Sequence, residues 1–304
     1  ALIRLVVEPL ALNHVRRHLL LASGAAMLCP APLLFAAPAT SLAAAHTQLA
    51  ALEQAAGGRL GVAAWRQGSE LRVAYRADER FPLASTFKAM LAGAVLARSV
   101  SQPGLLDQHV RYEKKELVTY SPITEKHLAD GMNVADLCAA TLQYSDNSAA
   151  NFLMTLLGGP QAVTAFARSI GNTVFQLERW ETELNSAIPG EVRDTASPAS
   201  MAHSLQQLLL GNSLPAPQRQ QLDTWMRGNT TGDKRIRAGV PAGWQVADKT
   251  GSGAYGSVND IGVAYPASGA PLVIAVYYTR GQKKADTNQD IITAATRIVT
   301  AALV

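Results

Sequence analysis

The residues best suited to chemistry begin with a serine three positions before a lysine, Ser85 and Lys88. A serine hydroxyl is a weak nucleophile until a base removes its proton. Because residues i and i+3 share one face of a helix, the Lys88 amine could lie beside the Ser85 hydroxyl. At a helix N-terminus, free N–H groups would also favour a developing anion. The pattern is short, and a serine cap followed by a solvated lysine is the alternative.

Two further short motifs carry polar side chains that suit the same kind of reaction. In Ser145-Asp146-Asn147 the hydroxyl can pass a proton, the amide can hold a carbonyl, and Asp146 would brace the turn. In Lys249-Thr250-Gly251-Ser252 a lysine and two hydroxyls form a carboxylate site, and the glycine lets a ligand lie along the strand edge. The alternatives are a helix cap for the first motif and an ordinary strand end for the second.

The elements that must position these motifs change from strands to helices and back to strands. The runs 60–65 and 71–75 read as a hairpin. Helical spacing then dominates from Ser85 to about residue 211, and strands return after Trp244. The predicted helices are 88–99, 134–142, 148–157, 161–170, 198–210 (opened by Ser197) and 291–303, and the later strands are 245–249, 258–265 and 272–278.

This order predicts an α/β fold in which an antiparallel sheet, flanked by helices, is built from both chain ends around an inserted all-α subdomain. We expect one domain over residues 46–304, with its α/β part at about 46–80 and 225–304 and its all-α part at about 81–224. A cleft between the two parts is a natural place for a small-molecule site.

Composition narrows the possible partners. The chain is 48% hydrophobic and 16% charged, which is ordinary for a globular protein. Its net charge is +4, and the 27 lysines and arginines form no basic block with interleaved aromatics, so nucleic acid is not expected. The six histidines show no metal-ligand spacing, and no metal or organic cofactor is predicted.

The first 45 residues differ from the rest. Arg16 and Arg17 precede an apolar stretch over 19–37, and small residues follow at 41–45. This order predicts a secretory signal cleaved near 43–45, and the arginine pair also resembles a twin-arginine signal. A membrane anchor is the alternative, which the prolines in the stretch disfavour. We therefore expect a periplasmic, monomeric mature protein without stable membrane association.

The three motifs follow one another in an order that resembles class A β-lactamases and penicillin-binding proteins. Sixty residues separate Ser85 from Ser145, and about a hundred more lead to Lys249, which also resembles class A. The resemblance covers nearly all of the chain after the signal. It implies a β-lactamase/transpeptidase-like fold, hydrolysis of penicillins and cephalosporins through a Ser85 acyl-enzyme, and resistance to β-lactam antibiotics.

A fourth segment distinguishes class A β-lactamases from penicillin-binding proteins. Glu181 and Asn185, with the residues up to Thr195, resemble the class A Ω loop, in which this pair holds the water that frees the acyl-enzyme. Penicillin-binding proteins lack the loop. We expect Arg193 and Asp194 to form its internal ion pair. A surface carboxylate is the alternative for Glu181.

The resemblance also implies the remaining roles. Lys249, Thr250, Ser252 and Arg235 would bind the substrate carboxylate, and Tyr120 would wall the cleft. The backbone N–H groups of Ser85 and Ser252 would hold the oxyanion. Lys88, or Glu181 through a water, would take the Ser85 proton, and Ser145 would relay one to the leaving nitrogen. A solvated arginine and a core or exposed tyrosine are the alternatives for Arg235 and Tyr120.

Several positions depart from parts of the family. Class A carbapenemases typically carry cysteines at the positions of Ala84 and Gly253, so the sequence does not support that specialisation. Cys29 lies in the predicted signal, and Ala92 stands where many members have the partner of Cys138. Cys138 is therefore expected to be a lone, buried and inert thiol.

Three rival functions can be separated by sequence features. A cell-wall D,D-peptidase would lack the Glu181–Asn185 element. A β-lactam-binding sensor would need a membrane-spanning portion after residue 45. A hydrolase with a Ser/His/Asp triad is disfavoured because no Gly-x-Ser-x-Gly surrounds Ser85.

Overall fold

A computed structural model describes residues 41–304. The arginine pair, the apolar stretch and Cys29 of the predicted signal lie outside these residues. The helices are α1 (Leu42–Ala56), α2 (Phe87–Ser101), α3 (Val134–Gln143), α4 (Asn147–Leu157), α5 (Pro160–Ser169), α6 (Pro198–Leu205), α7 (Ala216–Arg227), α8 (Ile236–Gly239) and α9 (Asp290–Leu303). The strands are β1 (Arg59–Arg66), β2 (Arg72–Tyr75), β3 (Phe81–Pro82), β4 (His109–Val110), β5 (Met132–Asn133), β6 (Thr195–Ala196), β7 (Gln245–Ser252), β8 (Val258–Tyr265) and β9 (Leu272–Thr279).

The main sheet takes strands from both ends of this chain, in the order β2-β1-β9-β8-β7. All neighbouring strands are antiparallel. Every residue of β9 is buried, because α1 and α9 cover one face of the sheet while α6 and the helical region cover the other. The α/β fold with an antiparallel sheet flanked by helices is confirmed.

Helix α2 lies at the centre of the helical region and sets the position of the candidate nucleophile. All of its residues from Phe87 to Leu96 are buried. A helix that is apolar around its whole circumference is one that packs on all sides. Because α2 is enclosed by α3, α4, α5 and α7, the short turn that precedes it is held rigidly against β7.

The N-terminal helix α1 was not predicted from the sequence. Ser41 caps it by accepting from the Ala44 N–H, Gly57 ends it, and Ala45 is fully buried in the core. The predicted domain boundary at residue 46 falls inside this helix. Its first turn is Leu42 followed by three alanines; alanine suits both a signal cleavage site and a helix, so composition could not separate the two.

Two element ends differ from the prediction by three residues or more. Strand β7 continues past Lys249 to Ser252, because its pairing with β8 extends to the register Ser252↔Val258. Helix α6, capped by Ser197 as predicted, ends at Leu205 and continues as a π-helical turn over Gln206–Leu210. The first difference places the whole Lys-Thr-Gly-Ser motif on a strand.

Cys138 is free and fully buried on α3, and this burial raises the pKa of its thiol. A buried thiol with a raised pKa is a poor nucleophile, which agrees with an inert role. Within residues 41–304, no helix is both long and apolar enough to cross a bilayer.

Candidate active site

Ser85 lies in a single 3-10 turn, Ala84–Thr86, that leads directly into α2. It is therefore at the start of a helix, the position at which free N–H groups favour a developing anion. Strand β7 passes so close that a Cβ on Gly251 would lie 3.1 Å from the Ser85 nitrogen and 3.0 Å from the Leu83 oxygen. Any larger residue at this position would push the Ser85 turn away from the strand by a few tenths of an ångström.

Lys88 is fully buried, and its amine makes three close contacts. Its Nζ lies 3.0 Å from Glu181 Oε1, 2.6 Å from Asn147 Oδ1 and 2.9 Å from the Ser145 carbonyl oxygen. Burial lowers the pKa of Lys88, and the Glu181 charge opposes this shift. A lysine with a lowered pKa is suited to accept a proton.

The Ser85 hydroxyl makes no hydrogen bond to the Lys88 amine, although their spacing suggested that the two would lie side by side. It donates to Glu181 Oε1 at 3.5 Å, and the same oxygen accepts from Lys88. One carboxylate oxygen therefore joins the two side chains. The i, i+3 relation brings the residues to one face of the helix turn, and both polar groups use the buried carboxylate as their partner.

Ser145 lies between the two motif lysines. Its Oγ is 3.1 Å from Lys249 Nζ and 3.4 Å from Lys88 Nζ, and its backbone has a positive φ of 58°. Burial, together with the charges of Lys88 and Arg235, lowers the pKa of Lys249 well below its usual range. A hydroxyl between two amines is well placed to relay a proton.

Asp146 braces this turn, as predicted, and also caps α4. Its carboxylate accepts from the backbone N–H groups of Ile123, Thr124 and Ala149. The neighbouring Asn147 uses Oδ1 for Lys88 and donates one amide hydrogen to the Thr119 oxygen at 2.8 Å. Since an amide NH₂ has two hydrogens, one is left for a substrate carbonyl.

Glu181 is buried in the Ω loop, so a surface role is excluded. Its Oε2 accepts from Asn185 Nδ2 at 2.5 Å. Its backbone is held on both sides by Asn151, whose Oδ1 accepts from the Glu181 N–H at 3.0 Å and whose amide donates to the Glu181 oxygen at 2.9 Å. Sequence reasoning missed Asn151, although it lies one turn after Asn147 on the same face of α4.

The predicted ion pair of the Ω loop was wrong. Asp194 pairs with Arg179, with 2.6 Å between Oδ2 and Nε, and it also accepts from the backbone N–H groups of Glu178 and Arg179. Arg193 pairs with Glu191 on the surface. Arg193 and Asp194 lie in a turn, where Asp194 has a positive φ of 55°; its side chain is buried while that of Arg193 is exposed, so the two face different surroundings.

Arg235 lies buried behind β7 and supports its edge. It donates to the Gly251 oxygen at 2.8 Å, to the Asn259 oxygen at 2.6 Å and to Ser252 Oγ at 2.8 Å. Its Nε donates to Gln289 Oε1 at 3.1 Å. Burial lowers its pKa. Arg235, which is not itself on β7, thus adds positive charge next to Lys249 of that strand.

These elements form one cleft of about 330 Å³. Tyr120 lies at its rim and is 57% exposed, with a positive φ of 65°. The cleft is lined by Ser85, Tyr120, Ser145, Asn147, Asn185, Thr231, Arg235, Thr250, Gly251 and Ser252. Thr231 was not predicted; its hydroxyl lies 2.5 Å from that of Thr250.

The three ionisable groups Lys88, Glu181 and Lys249 do not line the cleft directly and are fully buried or nearly so. Every residue that the sequence assigned to the site is thus in the cleft wall or in contact with it. Residues 41–304 contain no group of His, Cys, Asp and Glu side chains arranged to hold a metal ion. The arrangement offers a nucleophile, buried bases, a proton relay and a positively charged strand edge.

Comparison with known proteins agrees with this arrangement. Residues 44–303 match the model of the β-lactamase enzyme family. The carbapenem-hydrolysing β-lactamase KPC of Klebsiella oxytoca is 58% identical over 81% of this chain and 84% of its own. The β-lactamase CTX-M-97 of Escherichia coli is 53% identical, over 88% and 93% of the two chains.

A solved structure extends the likeness to three dimensions. The crystal structure of a β-lactamase from Desulfarculus baarsii has a TM-score of 0.84 and 54% identity, and the match covers 86% of this chain and 97% of the other. Relatives that are more than half identical over most of both chains, together with the cleft, determine the assignment. The chain belongs to the β-lactamase enzyme family, within class A.

Proposed function

We propose that this chain hydrolyses the β-lactam amide bond of penicillins and cephalosporins through a Ser85 acyl-enzyme, and so gives resistance to these antibiotics. The observation that carries the mechanism is the buried Glu181 carboxylate, which is hydrogen-bonded to Ser85, Lys88 and Asn185. This arrangement supplies a base for the second, hydrolytic half of the reaction.

In the first half, the substrate carboxylate binds Lys249, Thr250 and Ser252, with Arg235 behind them. Ser85 Oγ attacks the lactam carbonyl, and the new C–O bond forms as the C–N bond of the ring breaks. The developing oxyanion is held by the backbone N–H groups of Ser85 and Ser252. The close approach of β7 to the Ser85 turn supports this pairing of donors.

Two protons move in this half. The Ser85 proton passes to Glu181 Oε1 and through it to Lys88, since both groups meet at that oxygen, and Glu181 is thereby ionised again for the second half. The lactam nitrogen receives its proton from Ser145, which is resupplied by the lysines on either side of it. Asn147, Asn185 and Tyr120 line the cleft and position the ring and its side chain.

In the second half, Glu181 and Asn185 hold a water against the acyl carbonyl. Glu181 takes a proton from this water, the hydroxide adds to the carbonyl, and the ester bond to Ser85 breaks. The proton returns to Ser85 Oγ. A penicillin-binding protein has no such base, so its acyl-enzyme persists; the buried Glu181–Asn185 pair favours hydrolysis over a D,D-peptidase function.

The proposal is limited to penicillins and cephalosporins. Carbapenems are not included, although one relative is named for hydrolysing them, because Ala84 and Gly253 stand at the two cysteine positions described above. We further propose that the mature protein is a periplasmic monomer exported by a Sec or twin-arginine signal. Cell fractionation and size-exclusion chromatography test these two statements.

The decisive experiment is turnover of a chromogenic cephalosporin by the purified mature protein. Wild type should release product continuously, and Ser85→Ala should abolish release. Ser186→Ala, in the Ω loop, is the matched control and should keep full turnover. If wild type consumed one equivalent of substrate and then stopped, the hydrolase function would be refuted in favour of a penicillin-binding role.

A further inference from the structure

The described residues hold a second and larger cavity, which the proposed reaction does not use. Its volume is about 570 Å³, within the range of small-molecule sites. It lies between the outer half of the Ω loop, 187–192, and the edge formed by residues 57–59, 80–82 and 279–281. Ser85, Lys88 and Glu181 are absent from its lining, so it is separate from the catalytic cleft.

One wall of this cavity is cationic. It contains Arg59, Arg80 and Arg280. Arg59 is paired with Glu79, but the other two arginines bond neutral groups: Arg80 donates to the Val174 oxygen at 2.8 Å and to the Thr195 hydroxyl at 3.0 Å.

Arg280 donates from Nε to the Tyr278 hydroxyl at 3.2 Å and forms no salt bridge with a carboxylate of residues 41–304. The acidic residue of the lining, Glu191, is already paired with Arg193. The cavity therefore has an excess of positive charge, which an anion would balance.

The opposite wall is apolar. It is formed by Ala187, Ile188, Pro189 and Val192 of the Ω loop. Ile188 and Val192 are each 46% exposed, so large aliphatic side chains line an open cavity with no protein group of the described chain covering them. Burying such surface against an apolar ligand is favourable.

We propose that this cavity is a binding site for a small amphipathic organic anion. A carboxylate, sulfonate or phosphate group would lie against Arg280 and Arg80, and an aromatic or aliphatic body would lie against Ile188 and Val192. The two walls together select this class. A simple inorganic anion would leave the apolar wall exposed, and a neutral hydrocarbon would leave the arginines without a counterion.

The probe for the test is 8-anilinonaphthalene-1-sulfonate, whose fluorescence rises in apolar surroundings. N-phenyl-1-naphthylamine, which has the same body without the sulfonate, is the matched neutral probe. We expect wild type to bind one equivalent of the sulfonate in this cavity and to bind the neutral probe at least tenfold more weakly. Equal affinity for the two probes would overturn the assignment of an anion site.

Variants locate the binding. Arg280→Gln should weaken binding at least tenfold, and Arg280→Lys should restore most of it. Arg297→Gln on α9, which removes the same charge outside the cavity, should bind as wild type does. Arg235→Gln should also bind normally; a loss confined to this variant would place the probe in the catalytic cleft and refute the proposal.

A second pair of variants tests the apolar wall without touching the arginines. Ile188→Glu places a negative charge at a half-exposed position and should reduce binding at least tenfold. Leu71→Glu, at a position 56% exposed on the hairpin, is its control and should have no effect. Circular dichroism confirms the folding of each variant. Unchanged binding in both Ile188→Glu and Arg280→Gln would refute the site.

Discussion

Replacement of Glu181 by Gln tests the separation of the two half-reactions. The change keeps the size of the side chain and its position beside Asn185, but it removes the base that deacylation needs. A positioned general base contributes about 100- to 10,000-fold, which is about 3–5 kcal/mol of barrier. We therefore expect deacylation to slow by this factor.

Acylation should fall much less in the same variant. Burial already lowers the pKa of Lys88, and the charge of Glu181 opposes that shift. Removal of the charge lowers the Lys88 pKa further, so that a larger share of the amine is neutral and, once its side chain turns from residue 181 toward Ser85 Oγ, able to take the Ser85 proton. The two rates therefore separate, and acyl-enzyme accumulates.

Stopped-flow turnover and intact-protein mass spectrometry measure this separation. Glu181→Gln should give a burst of one equivalent of product and a mass increase equal to the bound substrate. Glu183→Gln, an exposed carboxylate on the same loop, is the control and should behave as wild type. Unchanged turnover would remove Glu181 from the mechanism, and a variant that neither turns over nor forms adduct would show that acylation itself depends on this carboxylate.

The stability of Glu181→Gln gives a second, independent test of the buried contact between Lys88 and Glu181. Loss of one partner of a buried pair costs about 3–5 kcal/mol when the other remains charged. The folded-state pKa of Lys88 is lowered, so between that value and the ordinary value of about 10.4 the unfolded chain binds more protons. The Lys88 contribution to the free energy of unfolding thus rises with pH. In urea unfolding, the deficit of the variant against wild type should shrink from pH 7 to pH 9.

Three further substitutions, the last with a surface control, follow from the contacts. Arg235→Gln loses a charged donor behind the carboxylate site, and kcat/KM should fall by about 10- to 150-fold, since hydrogen bonds to charged groups contribute about 1.5–3 kcal/mol. Gly253→Ala would place Cβ 3.0 Å from the Asn185 oxygen and should therefore move the Ω loop outward. In steady-state kinetics, kcat for penicillins should fall, and KM for bulky cephalosporins should also fall. Arg179→Gln leaves buried Asp194 unpaired and should cost about 3–5 kcal/mol in urea unfolding, whereas the surface change Arg193→Gln should cost less than about 1 kcal/mol.

The sequence predicted those parts of the site whose residues are brought together by local backbone geometry, such as helix spacing, strand pairing or a turn. The i, i+3 spacing places Ser85 and Lys88 on one helix face, and strand pairing carries Lys249 to Ser252 along a single edge. Turn chemistry places Asp146 as a cap. In each case the residues concerned are close along the chain, so a short motif contains most of the information.

The parts that it could not predict depend on which distant groups meet in three dimensions. Nothing in the local pattern favours Arg179 over Arg193 as the partner of Asp194, because the decision depends on which side of the loop faces the core. Asn151 likewise looks like an ordinary helix residue until the Ω loop lies across it. The lowered pKa values of the lysines arise from burial and have no counterpart in sequence spacing.

The charge arrangement explains why an anionic substrate suits this site. Lys249 is fully buried, and both its burial and the cations Lys88 and Arg235 make its charged form unfavourable. Asp248 and Asp260 lie nearby, but burial raises the pKa of each carboxyl, which reduces the negative charge they supply. A substrate carboxylate beside Lys249 therefore provides the missing anion and favours protonation of the amine. The protonated amine then lies 3.1 Å from Ser145 Oγ, on the path to the leaving nitrogen, so binding of the substrate itself prepares the proton that the ring opening requires.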